Sequence, residues 1–311
     1  MPISIVVHGG AGDIAPDHHE IARQGCQEAA LIGWRVLQDG GSSLDAVEAA
    51  VRALEDNPAF NAGTGACLSA EGNIELDAGI MDGHTLNVGA VAGVELIKNP
   101  ISLARKVLTS PHVLLVGRGA EQFASENGIA QCAFDDLLTE RQYKRWKEYL
   151  AEQGLWRKDE PRFIRREVAA LAAREEEKHG TVGAVAVDHN GFLAAATSTG
   201  GILNKYPGRV GDSPLVGCGF YADEQAAVSC TGLGEDFVRL LIAKRAADFV
   251  GQGRSAREAA EAAIAFLGAK ATGTGGLILV DHLGGVGFAW NSKNMAHAYM
   301  SEGMEEPTAG V

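Results

Sequence analysis

Four short stretches between His179 and Glu235 gather hydroxyls, glycines and opposite charges. They are His179-Gly180-Thr181, Thr197-Ser198-Thr199-Gly200-Gly201, Pro207-Gly208-Arg209-Val210-Gly211-Asp212-Ser213-Pro214 and Ser229-Cys230-Thr231-Gly232-Leu233-Gly234-Glu235. A threonine hydroxyl becomes a useful nucleophile once a base takes its proton. An arginine fork matches a carboxylate, and an aspartate suits an ammonium group. Taken singly, each stretch has a plain reading: Thr-Ser-Thr-Gly-Gly ends a strand and Gly-Asp-Ser-Pro makes a turn. Together, in this order, they point to one assembled site.

Other chemistries lack their residues. No GxGxxG opens a helix, and GxxxxGK[ST], GxSxG and HExxH are missing, so dehydrogenase, P-loop and zinc-protease readings gain no support. The net charge of −13 disfavours nucleic acid and anionic membranes as partners. Cys26, Cys67, Cys132, Cys218 and Cys230 form an odd, scattered set without metal-ligand spacing, as expected of small buried hydrophobes in a reducing compartment. With no apolar run of about 18 residues and no signal-peptide pattern at the start, a cytoplasmic protein is expected. Glycine supplies 40 of 311 residues, well above the usual ~7%, which suits a site built from loops.

The elements that must position these residues follow from periodicity. Ile3 to Val7 reads as a strand entering a glycine turn, His8-Gly9-Gly10-Ala11-Gly12. Ile21, Gly25, Cys26, Ala29, Ile32, Val36 and Leu37 recur at helical spacing. A second helix opens at Ser42 with Asp45 in a capping pattern and stops at Pro58. Alternation from Cys67 to Leu76 predicts a hairpin, followed by a strand at 86–94, a helix from Ile101, a strand at 113–116 and a helix from Gly119. Residues 137–180 carry 20 of the 67 charged side chains, which predicts a solvated helical insertion or a linker. Thr181 then starts an apolar strand that turns at 188–191 and returns from Phe192 to Ser198. Helices at 235–250 and 255–267 precede a hairpin at 276–290. Adjacent strands joined by hairpins predict layered α/β architecture with largely antiparallel sheets.

The stretch from His179 to Glu235 closely resembles the plant-type asparaginases, or isoaspartyl peptidases, of the N-terminal nucleophile (Ntn) hydrolase superfamily. The resemblance runs along essentially the whole chain, through the initial Val6-Val7-His8-Gly9-Gly10-Ala11-Gly12, Phe60-Asn61-Ala62-Gly63-Thr64-Gly65, Glu75-Leu76-Asp77-Ala78, Met81-Asp82-Gly83 and Gly273-Thr274-Gly275-Gly276. It implies an αββα sandwich with two central sheets flanked by helices. It also implies that the chain cuts itself between Gly180 and Thr181 into an α subunit (1–180, with 137–180 as charged linker or tail) and a β subunit (181–311). A free α-amine on Thr181, with a reference pKa of ~7.7–8.0, would then serve as the base for the hydroxyl on the same residue.

Carried over residue by residue, the resemblance makes Thr181 the nucleophile, with Thr199 tuning it. Thr231 and the Gly232 amide form the oxyanion hole. Arg209 takes the substrate α-carboxylate and Asp212 the α-ammonium, Gly234 lets that head group approach, and Asn61 lines the floor. Main-chain carbonyls of Leu54, Glu55, Asn57, Phe60, Ala62 and Thr64 encircle a structural sodium ion, catalysis itself needing no cofactor. The His8-Gly9-Gly10 turn is either a support for precursor cleavage or a plain strand-ending turn. The implied substrates are L-asparagine and β-aspartyl dipeptides, and the implied assembly is a dimer of αβ units. A glycosylasparaginase, a taspase-like relative, or an uncleaved silent homologue acting as a binding protein are the alternatives.

Overall fold

The apolar run after Thr181 lacks alternation because both faces of its strand are covered. In β5 (Val182–Val187), Val182, Ala184 and Ala186 pack towards helices, whereas Val185 and Val187 pack towards a second sheet. Its hairpin partner β6 (Leu193–Thr199) divides likewise, with Ala194 and Ala196 on the helix side and Leu193 and Ala195 between the sheets. Side chains alternate faces along a strand, so burial of both faces requires apolar or small residues throughout.

The computed structural model describes residues 1–154 and 180–311. His179 and the charged stretch beyond Gly154 lie outside the described residues. The larger sheet adds β1 (Ser4–Gly12), β2 (Leu76–Asp82), β3 (Val88–Val94), β4 (Leu114–Val116), β11 (Asn294–Ser301) and β12 (Thr308–Gly310), in the order β12-β11-β1-β5-β6-β2-β3-β4. The smaller sheet comprises β7 (Phe220–Ala222), β8 (Ala226–Gly232), β9 (Gly275–Asp281) and β10 (Val286–Trp290), in the order β10-β9-β8-β7. Neighbours run antiparallel, except that β3 and β4 are parallel. Helices α1 (His19–Gln38), α2 (Ser43–Asp56) and α3 (Pro100–Leu108) cover the outer face of the larger sheet. Helices α8 (Ile242–Gly251) and α9 (Ala256–Lys270) cover that of the smaller sheet. This is the expected αββα sandwich, with one apolar layer between the sheets and one beneath each set of helices.

Capping fixes the helix starts. Ser42 accepts a hydrogen bond from Asp45 N at the head of α2, and Ser255 forms a reciprocal box with Glu258 at the head of α9. The buried face of α1 lies about one residue beyond the expected stripe: Ala22, Ala30, Gly33 and Trp34 are buried, whereas Ile21 is exposed. Small residues there let the helix sit directly on β1.

Several expectations are corrected. His8-Gly9-Gly10-Ala11-Gly12 is no turn; it continues β1, with a bulge between His8 and Ala11 against β11. The hairpin expected from Cys67 to Leu76 is a loop whose backbone bonds to a distant one, Asn204 N donating to Leu68 O and Ala70 N to Lys205 O. The helix expected at 235–250 breaks at Leu241, which adopts φ 52°, into α7 (Gly234–Leu240) and α8. Of the charged stretch, Glu140–Glu152 forms an amphipathic helix, α6, after α4 (Gly117–Glu126) and the short α5 (Phe134–Leu137). Gln142 of α6 donates to Gly65 O and Trp146 to Ser69 O, so α6 is bound to the loop that follows α2. Among the described residues no helix is long and apolar enough to cross a membrane.

The contact between the sheets is close enough to test. A Cβ on Gly79 of β2 would lie 2.1 Å from Cε1 of Phe220, a fully buried ring on β7. Overpacking of this kind costs about 1–3 kcal/mol. Gly79→Ala is therefore expected to lower the melting temperature by several degrees; an unchanged melt would mean that β2 and β7 do not face each other.

Candidate active site

Register places Thr181. Val182 pairs with Ser198 and Val187 with Leu193 across the β5–β6 hairpin, which sets Thr181 opposite Thr199. Thr181 Oγ1 donates to Thr199 Oγ1 at 3.0 Å, and both residues are buried. Thr199 Oγ1 also accepts from Gly201 N at 3.0 Å, so its own position is fixed. With the Thr181 proton held by Thr199, the lone pairs of Thr181 Oγ1 are available for attack.

Asn61 holds the other side of the Gly180–Thr181 peptide. Its backbone N–H donates to Gly180 O at 3.3 Å, and its carbonyl accepts from Gly200 N. Its side chain accepts from Cys67 N and donates to Gly201 O. A Cβ on Gly180 would meet Asn61 Cβ at 2.6 Å, so glycine is required for this approach. The order of glycines in Gly180-Thr181 and Thr199-Gly200-Gly201 thus has a steric cause.

Thr231 is the penultimate residue of β8, fully buried, where its Oγ1 accepts from Ala11 N at 3.2 Å and keeps its proton for donation. No direct hydrogen bond joins Thr231 or Gly232 to Thr181 among the described residues. His8 is buried between the sheets, its Nε2 3.0 Å from Ser229 Oγ. Burial lowers its pKa to about 3, against the opposing effect of the Thr181 main chain beside it, so the ring is neutral.

Arg209, Asp212 and Gly234 converge in a second cluster. The Arg209 guanidinium is bound edge-on by Glu235, Nε to Oε1 at 2.9 Å and Nη2 to Oε2 at 2.7 Å. A Cβ on Gly234 would lie 2.9 Å from Arg209 Nη2 and 3.0 Å from Asp212 Oδ1. Asp212 is buried with Oδ2 unpaired, and burial raises its pKa to about 7, opposed by its own backbone N–H and by Arg209. A buried carboxylate oxygen without a donor is a place for a cation to bind.

Sequence reasoning missed the support beneath this cluster. Lys205 is fully buried; its Nζ donates to Glu75 O at 3.0 Å and lies 3.4 Å from Glu75 Oε2. Both Glu75 carboxylate oxygens accept from Gly208 N, the residue before Arg209. The pair is separated by 130 residues, so no local pattern could reveal it. Breaking a buried pair by removing one partner costs about 3–5 kcal/mol. Lys205→Met should lower stability by about that amount, and Glu75→Gln in the same chain should recover part of it in thermal melts. Losses that simply add would show the two groups to be independent.

The loop after α2 has the carbonyls named for a cation. Leu54 and Glu55 lie in the last turn of α2, where carbonyls lack helical donors and the helix dipole is negative. Glu55 O accepts from Thr64 N at 2.8 Å, drawing the loop 55–64 into a closed turn. The Glu55 carboxyl is buried and accepts from Ile101 N; burial raises its pKa to about 8, with Ser198 and Ile101 opposing. Among the described residues no group of three or more His, Cys, Asp or Glu side chains could hold a metal.

Known proteins match this chain in sequence along nearly its whole length. The asparaginase family model (Asparaginase_2) matches residues 1–309. The plant-type L-asparaginase of Thermococcus kodakarensis is 49% identical over 312 residues, covering 99% of each chain. That of Pyrococcus horikoshii is 49% identical, covering 99% of this chain and 100% of its own. The isoaspartyl peptidase/L-asparaginase of Rattus norvegicus is 45% identical over 306 residues, covering 97% of this chain and 87% of its own. With matches of this extent, and with the two-sheet sandwich around Thr181, the chain belongs to the asparaginase family of Ntn hydrolases.

Proposed function

We propose that the chain is a self-activating amidohydrolase that hydrolyses L-asparagine and β-aspartyl (isoaspartyl) dipeptides, with Thr181 as nucleophile. One observation carries the reading: Thr181 Oγ1 is hydrogen-bonded to Thr199 directly after a Gly180 carbonyl held by Asn61 N–H. The printed names of the relatives, plant-type L-asparaginase and isoaspartyl peptidase/L-asparaginase, support the substrate class.

In the first reaction Thr181 Oγ attacks the Gly180 carbonyl carbon, and the developing oxyanion meets the Asn61 N–H. The hydroxyl proton passes to Thr181 N as the Gly180–Thr181 amide breaks, leaving Gly180 joined to Thr181 Oγ as an ester. Water then hydrolyses the ester, leaving a carboxylate on Gly180 and a free α-amine on Thr181. In the second reaction that amine takes the hydroxyl proton, and Oγ attacks the substrate's side-chain amide carbonyl. Thr231 O–H and Gly232 N–H receive the oxyanion; such a donor contributes about 2.7–4 kcal/mol to the barrier. The leaving amine takes the proton from the Thr181 ammonium, and water releases aspartate from the acyl-enzyme.

The head group is held by charge. Asp212 Oδ2 receives the α-ammonium, with Gly234 giving it room. Glu235 occupies Nε and Nη2 of Arg209, which leaves Nη1, beside Gly211, for the α-carboxylate. A structural sodium ion fits the neutral main-chain oxygens of Leu54, Glu55, Asn57, Phe60, Ala62 and Thr64, where it would fix the loop that carries Asn61. The reading includes a dimer of αβ units in the cytoplasm, supported by the family resemblance and by five unpaired cysteines.

Intact mass tests the first reaction. The matured protein should give fragments of 180 and 131 residues, with threonine leading the second. Thr181→Ala should remain a single chain and hydrolyse nothing. Normal cleavage of that variant would overturn the nucleophile assignment.

A pH series tests Asp212. Its folded pKa, about 7, lies above the ordinary 3.8. Its contribution to stability is therefore full below the ordinary value and declines as the pH rises through about 7. An ammonium ligand favours the ionised form. Binding of L-aspartate to the matured enzyme should tighten as the pH rises through about 7 and release a proton below it. Asp212→Asn should flatten that profile; an unaltered profile in the variant would assign the titration elsewhere.

A further inference from the structure

The leaving nitrogen of any substrate must come within reach of the group that protonates it. On the reading above that group is Thr181 N, and reach means about 2.6–3.2 Å. Before cleavage the same nitrogen is bonded to the Gly180 carbonyl carbon, about 1.33 Å away. The leaving group therefore enters the space that Gly180 gives up, and the surroundings of Gly180 decide which leaving groups are welcome.

Beside Gly180 the structure has a cavity of about 320 Å³, lined by Asn61 and Gly9 and, from α6, by Arg141, Lys144 and Arg145. That volume accommodates an amino acid. Its acidic lining residues have lysine partners, Asp13 with Lys293 at 2.9 Å and Glu148 with Lys144 at 3.8 Å. The two guanidinium groups have no carboxylate partner among the described residues. Arg141 Nη2 donates to the carbonyls of Pro58 and Ala59, and Arg145 Nη1 donates to Gln142 Oε1. Both are half-buried, and burial lowers the pKa of each, with the neighbouring Arg145 adding to the effect at Arg141. A guanidinium remains charged in such a place, so the cavity holds positive charge in excess.

We propose that this cavity is the leaving-group subsite, in which Arg145, with Arg141 beside it, binds the α-carboxylate of the amino acid released from a β-aspartyl dipeptide. The assignment rests on Thr181 being the nucleophile. Asparagine releases ammonia, which has no carboxylate, so the subsite distinguishes the two substrate types. Arg141 also braces the loop that carries Asn61, which makes Arg145 the cleaner residue to alter.

The test compares asparagine, β-aspartyl-leucine and β-aspartyl-leucinamide on matured enzyme, with maturation verified by mass. Wild type should favour the free acid over the amide by about tenfold in kcat/KM, the worth of one charge-assisted hydrogen bond. Arg145→Met should bring that ratio near one while the ratio of asparagine to the amide changes less than about twofold; Arg145→Lys should keep part of the preference. Equal kcat/KM for acid and amide in wild type would overturn the subsite, whatever the variants do. Loss of all three activities in proportion would likewise overturn it, as damage to the scaffold. Failure of matured wild type to hydrolyse any of the three would overturn the proposed function itself.

Discussion

Everything at the site depends on the register of one hairpin. β5 and β6 are adjacent in the middle of the larger sheet, with β1 bonded outside β5 and β2 outside β6. A slip of one residue would turn every side chain to the opposite face. Thr181 would leave Thr199, and Val185 would move from the sheet interface to the helices. Asp188 sets the register at the closed end: its Oδ1 accepts from Asn190 N and Phe192 N, and its Oδ2 accepts from Ser43 N at the start of α2. One carboxylate therefore closes the turn and ties it to the helix whose far end begins the Asn61 loop.

The charges around Arg209 and Asp212 obey a different constraint. Glu75, Asp77, Lys205 and Asp212 are all buried, and Arg209 nearly so. Buried ion pairs add little net stability, because desolvation offsets attraction. Their worth here is geometric. Lys205 and Glu75 fix the Gly208 amide, and the next residue presents Arg209. Asp212, left with one unpaired oxygen, stays costly until a cation arrives. An ammonium group would relieve that cost.

Much of this was legible in the sequence, and the omissions have physical causes. Capping at Ser42 and helical spacing in α1 and α2 locate those helices within a few residues. The strand after Thr181 is visible because it is uniformly apolar and ends at an Asp-His-Asn-Gly turn. By contrast β8, Ala226 to Gly232, is buried on both faces but built mostly of small residues, with Val228 its one bulky aliphatic side chain, so neither alternation nor bulk marks it. β11 and β12 escaped because the aromatic and polar side chains of Tyr299, His297 and Thr308 do not resemble a core strand. The Cys67–Leu76 alternation was real but misleading: within the stretch the backbone closes only a tight turn, Ser69 N to Asn73 O and Gly72 N to Ser69 O, and Leu68 and Ala70 bond to residues 204 and 205. Thr181, Thr199, Arg209 and Asp212 were found as local motifs. Glu75 and Lys205 were not, because an ion pair across 130 residues leaves no spacing to read.

On the proposed reading the same hydroxyl acts on two amides, first that of the Gly180–Thr181 peptide and then that of the substrate. In the uncut chain the carbonyl under attack is that of Gly180, and the donor waiting for its oxyanion is Asn61 N–H, on the α side. In catalysis the carbonyl belongs to the substrate, and the donors are Thr231 and Gly232, on the smaller sheet. A single pocket could not serve both, because the peptide before Thr181 and the substrate would compete for it. Separating the two oxyanion sites across Thr181 lets the first reaction clear the path for the second. Cleavage frees the amine that catalysis needs and vacates the space into which a leaving group must move. On that reading the loop after α2 supplies the first site and the end of β8 the second, with Thr181 at the head of β5.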